Sequence, residues 1–385
     1  MLIVKLLVGI IAGIVIGSYV GPDVIGIVVV LKNVLGQVIS FAVPLVVLGF
    51  IAPAIASLKS NASKMLLTML GLCYVSSVGA AAFAAVLGYT IVPHLVIPTN
   101  VASLTTLPDV IFNLSIPPVM PVMTALVLAI FVGISCIWAQ AEMMDKLLAE
   151  INRMVLELVK RILIPLLPFF VSATFAQMAY TGQIATQLPV FLKVILIAIA
   201  AHFVWLAVLY AIGGAISRSN PWEVIRHYGP TYLTAVGTMS SAATLPVALD
   251  SIHKSSVISL EVADFAIPLG ATTHLCGSVL TETFFCLTIS QMLYGHMPSL
   301  VTMAVFVILF GFFAIGAPGV PGGTVMASLA LVQAVLGFDD AGTALLLAIF
   351  ALQDSFGTAC NLLGDGALAM MLEGFYHPGK EKNHR

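Results

Sequence analysis

The C-terminal part of the chain carries four polar residues at helical spacing inside an apolar stretch. They are Asp354, Thr358, Asn361 and Asp365. Separations of 4, 3 and 4 positions place all four on one face of a helix, over about 16 Å of its length. No Lys or Arg occurs between Ser255 and Gly379 to neutralise the two carboxylates. Acidic groups in such surroundings are functional by default and usually have a partner.

The partner of these carboxylates has to come from elsewhere in the fold or from solution. From solution, the candidates are a metal cation, a proton and the ammonium group of a ligand, which together predict a site for a substrate and a cation. The alternative is that both acids lie at a helix end near water and have no functional role.

A second polar group precedes them in "PLGATTHLCGSVLTETFF", which begins at position 268. His274, Ser278 and Glu282 recur every four residues and share a helix face. Gly270 and Gly277 weaken this helix and are expected to leave carbonyl groups free for a cation. Burial among Leu and Phe would favour the neutral form of Glu282, which makes it a proton-coupling candidate. The alternatives are a protonated glutamic acid held in the core and a histidine that only packs.

The composition indicates a polytopic membrane protein. Of 385 residues, 60% are hydrophobic and 8% are charged, against about 25% charged in soluble domains. The mean hydropathy of +1.12 excludes a soluble globule. No basic patch for nucleic acid is present, and five cysteines inside apolar runs fit reduced, packed thiols.

Hydropathy predicts eight membrane spans and two broken segments. The spans are predicted at 2–20, 34–58, 64–93, 119–140, 151–178, 189–217, 256–294 and 341–375. The broken segments, 222–250 and 299–337, are interrupted by Gly, Pro and Ser, so each is predicted to be a re-entrant pair of half-helices. With this layout all 15 Lys and Arg residues except Lys32 and Lys193 fall on one side, which predicts cytoplasmic termini.

Paired interrupted segments are typical of secondary transporters, whose sites lie at the tips of the half-helices. Ser240, Ser241 and Thr244 lie at the first tip, where amides and hydroxyls at a helix N-terminus would bind a carboxylate. A simple capped turn would use the same residue types. The second tip, "GAPGVPGG" at 316–323, can bring bare backbone close to a ligand or act as a hinge.

Four ordered motifs, "SSAATLP", "PLGATTHLCGS", "GVPGG" and "QDSFGTACNLLGD", resemble those of the dicarboxylate/amino acid:cation symporters, the glutamate-transporter family. The resemblance implies an all-α polytopic membrane protein with eight transmembrane helices and two re-entrant hairpins, working as an elevator in a homotrimer. It implies a scaffold of 1–60 and 96–185, a transport domain of 61–95 and 186–376, and a cytoplasmic tail of 377–385. Hairpin 299–337 would be the outer gate.

The resemblance also assigns roles to individual residues. Asp354 matches the aspartate that takes the substrate ammonium, and Asp365 matches the carboxylate that binds sodium. The implied substrate site comprises Ser240, Ser241, Ser278, Val320, Pro321, Gly322, Asp354, Gly357, Thr358 and Asn361. The implied sodium ligands are Gly270, Thr272, His274, Leu275, Asn361 and Asp365. Glu282 falls on a proton-carrying glutamate, with His274 as a second proton-coupling candidate.

Departures from the family pattern bear on the substrate and the ions. The family segment "NMDGT" is "HLCGS" here, so Cys276 replaces a carboxylate ligand of one sodium site. Gly357 stands where members with acidic substrates have an arginine, and Met239 where some members have another. A substrate carboxylate there would be a buried unpaired charge that costs several kcal/mol, so neutral side chains are favoured. The "QDS" beginning resembles the serine/threonine branch.

These features predict secondary active symport of a small neutral amino acid such as serine, threonine or alanine, coupled to sodium, protons or both. The protein is expected in the cell membrane, with no cofactor beyond the coupling ions and no nucleic-acid partner. One alternative is a C4-dicarboxylate or acidic amino acid substrate, compensated by His274 as imidazolium. An intramembrane aspartyl protease would need two acids facing each other from two helices, and a channel or receptor could use the same fold.

Overall fold

The computed structural model describes residues 2–56, 64–95, 107–108, 112, 114, 116–182 and 184–376. Its regular structure is helical throughout these ranges. The helices are α1 Leu2–Tyr19, α2 Pro22–Ala56, α3 Lys64–Ile91, α4 Val122–Ala139, α5 Glu142–Leu158, α6 Ile164–Tyr180, α7 Ile184–Ser217, α8 Trp222–Ile225, α9 Gly229–Thr238, α10 Ser241–His253, α11 Leu260–Thr273, α12 Cys276–Ile289, α13 Leu300–Gly316, α14 Gly323–Leu336 and α15 Asp340–Tyr376. The predicted tail, 377–385, lies outside the described residues.

The structure differs from the predicted spans at three places. Helix α2 begins at Pro22, well before the predicted start at 34. A π-helical turn, Val159–Leu163, joins α5 and α6 into one rod that begins before the predicted span 151–178. The predicted span 256–294 is interrupted near Gly270 and Gly277, because the chain is extended at His274 between α11 and α12.

Both broken segments are interrupted at the predicted motifs. The first contains α9 and α10, which pack against each other and are called hairpin 1 below. The second contains α13 and α14, which also pack together and form hairpin 2, with residues 317–322 as its tip. The 10 residues of α9 and the 13 of α10 extend about 15 and 20 Å, less than the apolar thickness of a bilayer of about 30 Å.

Four helical stretches within the described residues are long and apolar enough to cross a membrane. They are Pro22–Pro53, Lys64–His94, Leu188–Ser217 and Asp340–Tyr376. Shorter apolar helices lie at Val4–Tyr19, Val127–Ala139, Leu300–Gly316 and Gly323–Leu336. Several membrane-spanning helices are therefore present, and the count of eight stays a prediction.

The helices pack in two groups. Helices α1, α2, α4, α5 and α6 contact one another, with α1 lying along α6 and α2 between α4 and α6. In the second group, α15 is central and contacts α7, α9, α11 and α12, while α3 lies against α12 and α13. Hairpin 2 touches the first group through α2. Of the 37 residues of α15, nearly all from Gly342 to Leu372 are buried, so its polar face points into protein.

Three glycines set the distance between α1 and α6. Gly9, Gly13 and Gly17 recur every four residues and face the backbone of α6. A Cβ atom on Gly13 would lie 2.2 Å from the carbonyl oxygen of Ser172, and one on Gly17 would lie 2.0 Å from that of Ala176. Such close backbone approach is how small residues hold membrane helices together.

We expect Gly13→Ala to lower the melting temperature of the purified protein. The added methyl group meets backbone, which cannot rotate away, so the helices must separate at a cost of about 1–3 kcal/mol, or on the order of 2–6 °C. The matched control is Gly71→Ala on α3, where a Cβ atom would meet nothing within 4 Å. Equal melting temperatures for both variants would contradict this account of the α1–α6 contact.

Candidate functional site

The tip of hairpin 1 is a capped helix N-terminus. Ser240 precedes α10 in an extended conformation, and its Oγ accepts a hydrogen bond from the amide of Ala243 at 3.3 Å. Met239 ends α9 with φ of 55°, a left-handed conformation that costs a non-glycine residue energy. The sharp reversal thus places the amides and hydroxyls that begin α10 at the end of the hairpin.

The tips of both hairpins meet at Gly319. Its carbonyl oxygen accepts hydrogen bonds from the Ser240 hydroxyl at 2.9 Å and from the Ala242 amide at 3.4 Å. A Cβ atom on Gly319 would lie 2.8 Å from the carbonyl oxygen of Ala271, near the end of α11. Three interrupted elements therefore converge at one glycine that has no room for a side chain.

Asp354 lies beneath the tip of hairpin 2. Its Oδ2 accepts a hydrogen bond of 2.7 Å from the amide of Gly322, the residue that precedes α14 with φ of 70°. The side chain is only 4% exposed. The amide and the positive end of the α14 dipole stabilise an anion here. A second oxygen of the same carboxylate has no hydrogen bond among the described residues, and could accept one from a ligand.

Asn361 joins α15 to the start of α12. Its Oδ1 accepts hydrogen bonds from the amides of Gly277 at 2.8 Å and Ser278 at 3.2 Å, and its Nδ2 donates to the Ser278 hydroxyl at 3.0 Å. One side chain thus satisfies amides at the N-terminus of α12 that no backbone carbonyl serves. A Cβ atom on Gly357 would lie 3.3 Å from the same hydroxyl, which makes Ser278 and Gly357 neighbours.

Asp365 has a partner from the chain itself. Its Oδ1 lies 2.9 Å from Nδ1 of His274, and Nε2 of the same ring lies 2.8 Å from the hydroxyl of Ser76 on α3. Both members of the pair are fully buried. The Oδ2 atom of Asp365 is buried without a hydrogen-bond partner among the described residues. Of the two sources considered for a partner of this acid, the fold therefore supplies one, because an imidazole faces its Oδ1.

The other predicted sodium ligands differ in whether they contact this pair and in how exposed they are. Gly270 lies against Asp365, since a Cβ atom on it would be 2.6 Å from Oδ1. Its carbonyl accepts a 2.8 Å hydrogen bond from the His274 amide, which uses one of its two lone pairs. Thr272 is exposed, and its hydroxyl bonds to Leu269 within α11. Leu275 is buried at the break.

The remaining predicted residues lie nearby on α15 and α12. Thr358 is buried one turn beyond Asp354. Glu282 is fully buried and contacts the hydroxyl of Ser328 on α14, while its Oε2 has no partner in the described part of the chain. The Ser328 hydroxyl also contacts the carbonyl of Val325 at 3.1 Å. One hydroxyl proton cannot serve both acceptors, so a protonated Glu282 would satisfy the set.

A cavity of about 460 Å³ lies against the tip of hairpin 2. Val320 and Gly319 line it, together with Thr272 and Ala242. Lys160 lies on its far wall, on the side that the distribution of basic residues predicts to be cytoplasmic. The tip therefore separates Asp354 from this cavity. Of the implied substrate residues, Ser241 is buried behind Ser240, and Pro321 is partly buried between Val320 and Gly322.

Sequence reasoning did not identify three residues that complete this region. Ser76 orients His274, Ser328 contacts Glu282, and His202 on α7 lies 3.0 Å from the carbonyl oxygen of Gly277 and 2.9 Å from the Thr281 hydroxyl. A pair of adjacent serines inside the apolar α3 was the available signal for Ser76. No local pattern distinguishes the other two from packing residues.

Comparison with known proteins matches this chain to a family. The family model described as the sodium:dicarboxylate symporter family matches residues 2–375. Excitatory amino acid transporter 1 of Ambystoma tigrinum is 29% identical over 211 residues, covering 53% of this chain and 37% of the relative. Excitatory amino acid transporter 2 of Homo sapiens is 29% identical over 204 residues, covering 52% and 33%. Neutral amino acid transporter B(0) of Mus musculus is 27% identical over 207 residues, covering 54% and 37%. The matched parts span about a third of these relatives' lengths.

Proposed function

This chain belongs to the sodium:dicarboxylate symporter family, a family of transporters and not of enzymes, and we propose that it carries out cation-coupled symport of a small neutral amino acid. Serine, threonine and alanine are the candidate substrates. The observation that carries this proposal is Asp354, a buried carboxylate beneath the tip of hairpin 2 that forms no ion pair with a Lys or Arg among the described residues.

The polar groups around Asp354 suit the two charges that every amino acid carries. The carboxylate of Asp354 would accept the substrate ammonium, which supplies the positive charge that the apolar surroundings lack. The start of α10, with Ser240 and Ser241, offers donors for the substrate carboxylate. Ser278 and Gly357 are neighbours. In this proposal they line the space for the substrate side chain.

The absence of a nearby cation favours a neutral substrate side chain. Among the described residues, no ion pair links Asp354 to a Lys or Arg, and position 357 is glycine. A second substrate carboxylate would then be buried unpaired, at a cost of several kcal/mol. The dicarboxylate alternative relied on His274 as its partner, yet both ring nitrogens of His274 already contact Asp365 and Ser76.

The two-group packing supports an elevator mechanism within the proposal. The scaffold would be 1–60 and 96–185, and the transport domain 61–95 and 186–376, in a homotrimer. Within the described residues, hairpin 2 packs against α2 and hairpin 1 has no comparable contact with it. Hairpin 2 therefore lies where the domains would slide. Closing the tip over Asp354 covers the loaded site before it moves.

The direct test is uptake into proteoliposomes containing the purified protein, with sodium and pH gradients imposed separately. We expect accumulation of labelled serine, threonine or alanine with at least one gradient. Unlabelled neutral amino acids should compete, whereas succinate and aspartate should compete at least about tenfold more weakly. Glu282→Gln, which removes the proton site but keeps the size of the side chain, should reduce only the part of uptake that the pH gradient drives.

Two outcomes would contradict the proposal. Accumulation of succinate or aspartate in preference to serine would replace it with the dicarboxylate alternative. Current or flux that only dissipates gradients, without accumulation of any amino acid, would indicate a channel. Liposomes without protein and liposomes with equal sodium on both sides are the controls.

A further inference from the structure

We propose that the imidazole ring of His274 takes the position of a coupling sodium ion at Asp365, so that no sodium binds to this carboxylate. This inference rests on the proposed function, because a role for this position in a transport cycle requires cation-coupled transport. It concerns one position only, and any sodium site elsewhere in the protein is independent of it.

The position of the imidazole excludes an ion at the same oxygen. Nδ1 of His274 lies 2.9 Å from Oδ1 of Asp365, which is a hydrogen-bond distance. The opposite ring nitrogen is held by Ser76 on α3 at 2.8 Å, so the ring is fixed at both ends. When Asp365 is ionised its carboxylate only accepts, and Nδ1 would then carry the proton of this hydrogen bond. The ring fills this position whether it carries one proton or two.

The other oxygens that could complete a sodium shell already accept hydrogen bonds, with the exception of Oδ2 of Asp365, which has no partner among the described residues. The carbonyl of Gly270 accepts from the His274 amide at 2.8 Å. The side-chain oxygen of Asn361 accepts from two amides of α12. The Thr272 hydroxyl is turned to its own helix and is exposed.

The surrounding chain is shaped for the ring and not for a hydrated ion. A Cβ atom on Gly364 would lie 2.8 Å from Cε1 of His274, so α15 presents bare backbone to the imidazole. A Cβ atom on Gly270 would press on Asp365 from the other side. Cys276, a neutral thiol next to the break, adds no charge that would attract a cation. The pair is therefore a packed unit built from α3, α11 and α15.

Sodium-dependent thermal stability, measured without any amino acid, tests the proposal. Wild type, Asp365→Asn, His274→Asn and the double variant would be melted in sodium chloride and in choline chloride at equal ionic strength. We expect wild type and Asp365→Asn to show the same sodium shift. His274→Asn, which replaces the ring by a smaller carbonyl-bearing side chain, should bind sodium about tenfold more tightly than wild type, and the double variant should lose that gain.

The matched control is His202→Asn, which removes another fully packed histidine of the same region. It should lower the melting temperature in both salts without adding a sodium response. A sodium shift in wild type that Asp365→Asn abolishes would overturn the proposal, and so would folded His274→Asn without any added response. If His274→Asn does not fold, the comparison of wild type with Asp365→Asn still decides. Failure of amino acid uptake would reject the proposed function but leave these melting curves interpretable.

Discussion

Asp354→Asn should abolish amino acid binding and uptake while the protein still folds. The amide has nearly the same shape and can still accept the hydrogen bond from the Gly322 amide, so hairpin 2 keeps its contact. The substrate ammonium, in contrast, loses its only anionic partner in a buried site. Removing one member of a buried charge pair costs about 3–5 kcal/mol, which corresponds to an affinity loss of about 100- to 4,000-fold.

The measurement is substrate binding by the purified variant, together with uptake in proteoliposomes. Asp264→Asn is the matched control, because Asp264 lies on α11 with a side chain that is 62% exposed and pairs with His253. That substitution should change affinity less than about twofold. Retained binding by Asp354→Asn would show that the ammonium is held elsewhere and would remove the central observation of the proposed function.

Gly357→Arg should convert the substrate preference from neutral to acidic. Position 357 lies one helical turn from Asp354 on the same face of α15, next to the Ser278 hydroxyl. A guanidinium group there would pair with a substrate side-chain carboxylate, which is otherwise buried without a partner. Because such an unpaired charge costs several kcal/mol, the ratio of aspartate to serine affinity should rise by about 100-fold or more.

Gly357→Met is the control for the size of the new side chain. It adds similar length without charge, so it should weaken every substrate without favouring aspartate. Competition by aspartate, succinate and serine against a labelled substrate gives the ratios for both variants. Equal ratios in the two variants would mean that position 357 does not face the substrate side chain.

The interruptions in the hairpins could be predicted from sequence because their chemistry is local. Ser240 is a typical helix N-cap, the Gly and Pro residues at 316–323 disfavour a continuous helix, and the chain breaks at both motifs. The break between α11 and α12 could only be anticipated as a weak point. Asn361 stabilises the break, because its side chain accepts hydrogen bonds from the amides that the break exposes. It lies 83 positions from Ser278 in the sequence. No local pattern contains that contact.

The charge balance of the site was the part that sequence reasoning described least well. It identified Asp365 and His274 individually and expected both to surround an ion. The contact between them depends on α15 lying against α11, and on Ser76 arriving from a third helix. The partner of Asp354 could not be predicted for the same reason. It is a backbone amide of hairpin 2, and no side-chain type in the sequence indicates such a contact.

The contacts of the hairpin 2 tip have a pharmacological consequence. The Gly319 carbonyl takes the Ser240 hydroxyl, and the Gly322 amide reaches Asp354, so one short backbone segment engages both groups that would hold an amino acid. A substrate that uses these groups must exchange them with the tip, and its net affinity is the difference between two similar sets of bonds. A rigid small molecule that presents an amide donor and a carbonyl acceptor with the spacing of this segment would imitate the tip. Such a compound would be an inhibitor lead that needs neither the charge nor the shape of an amino acid.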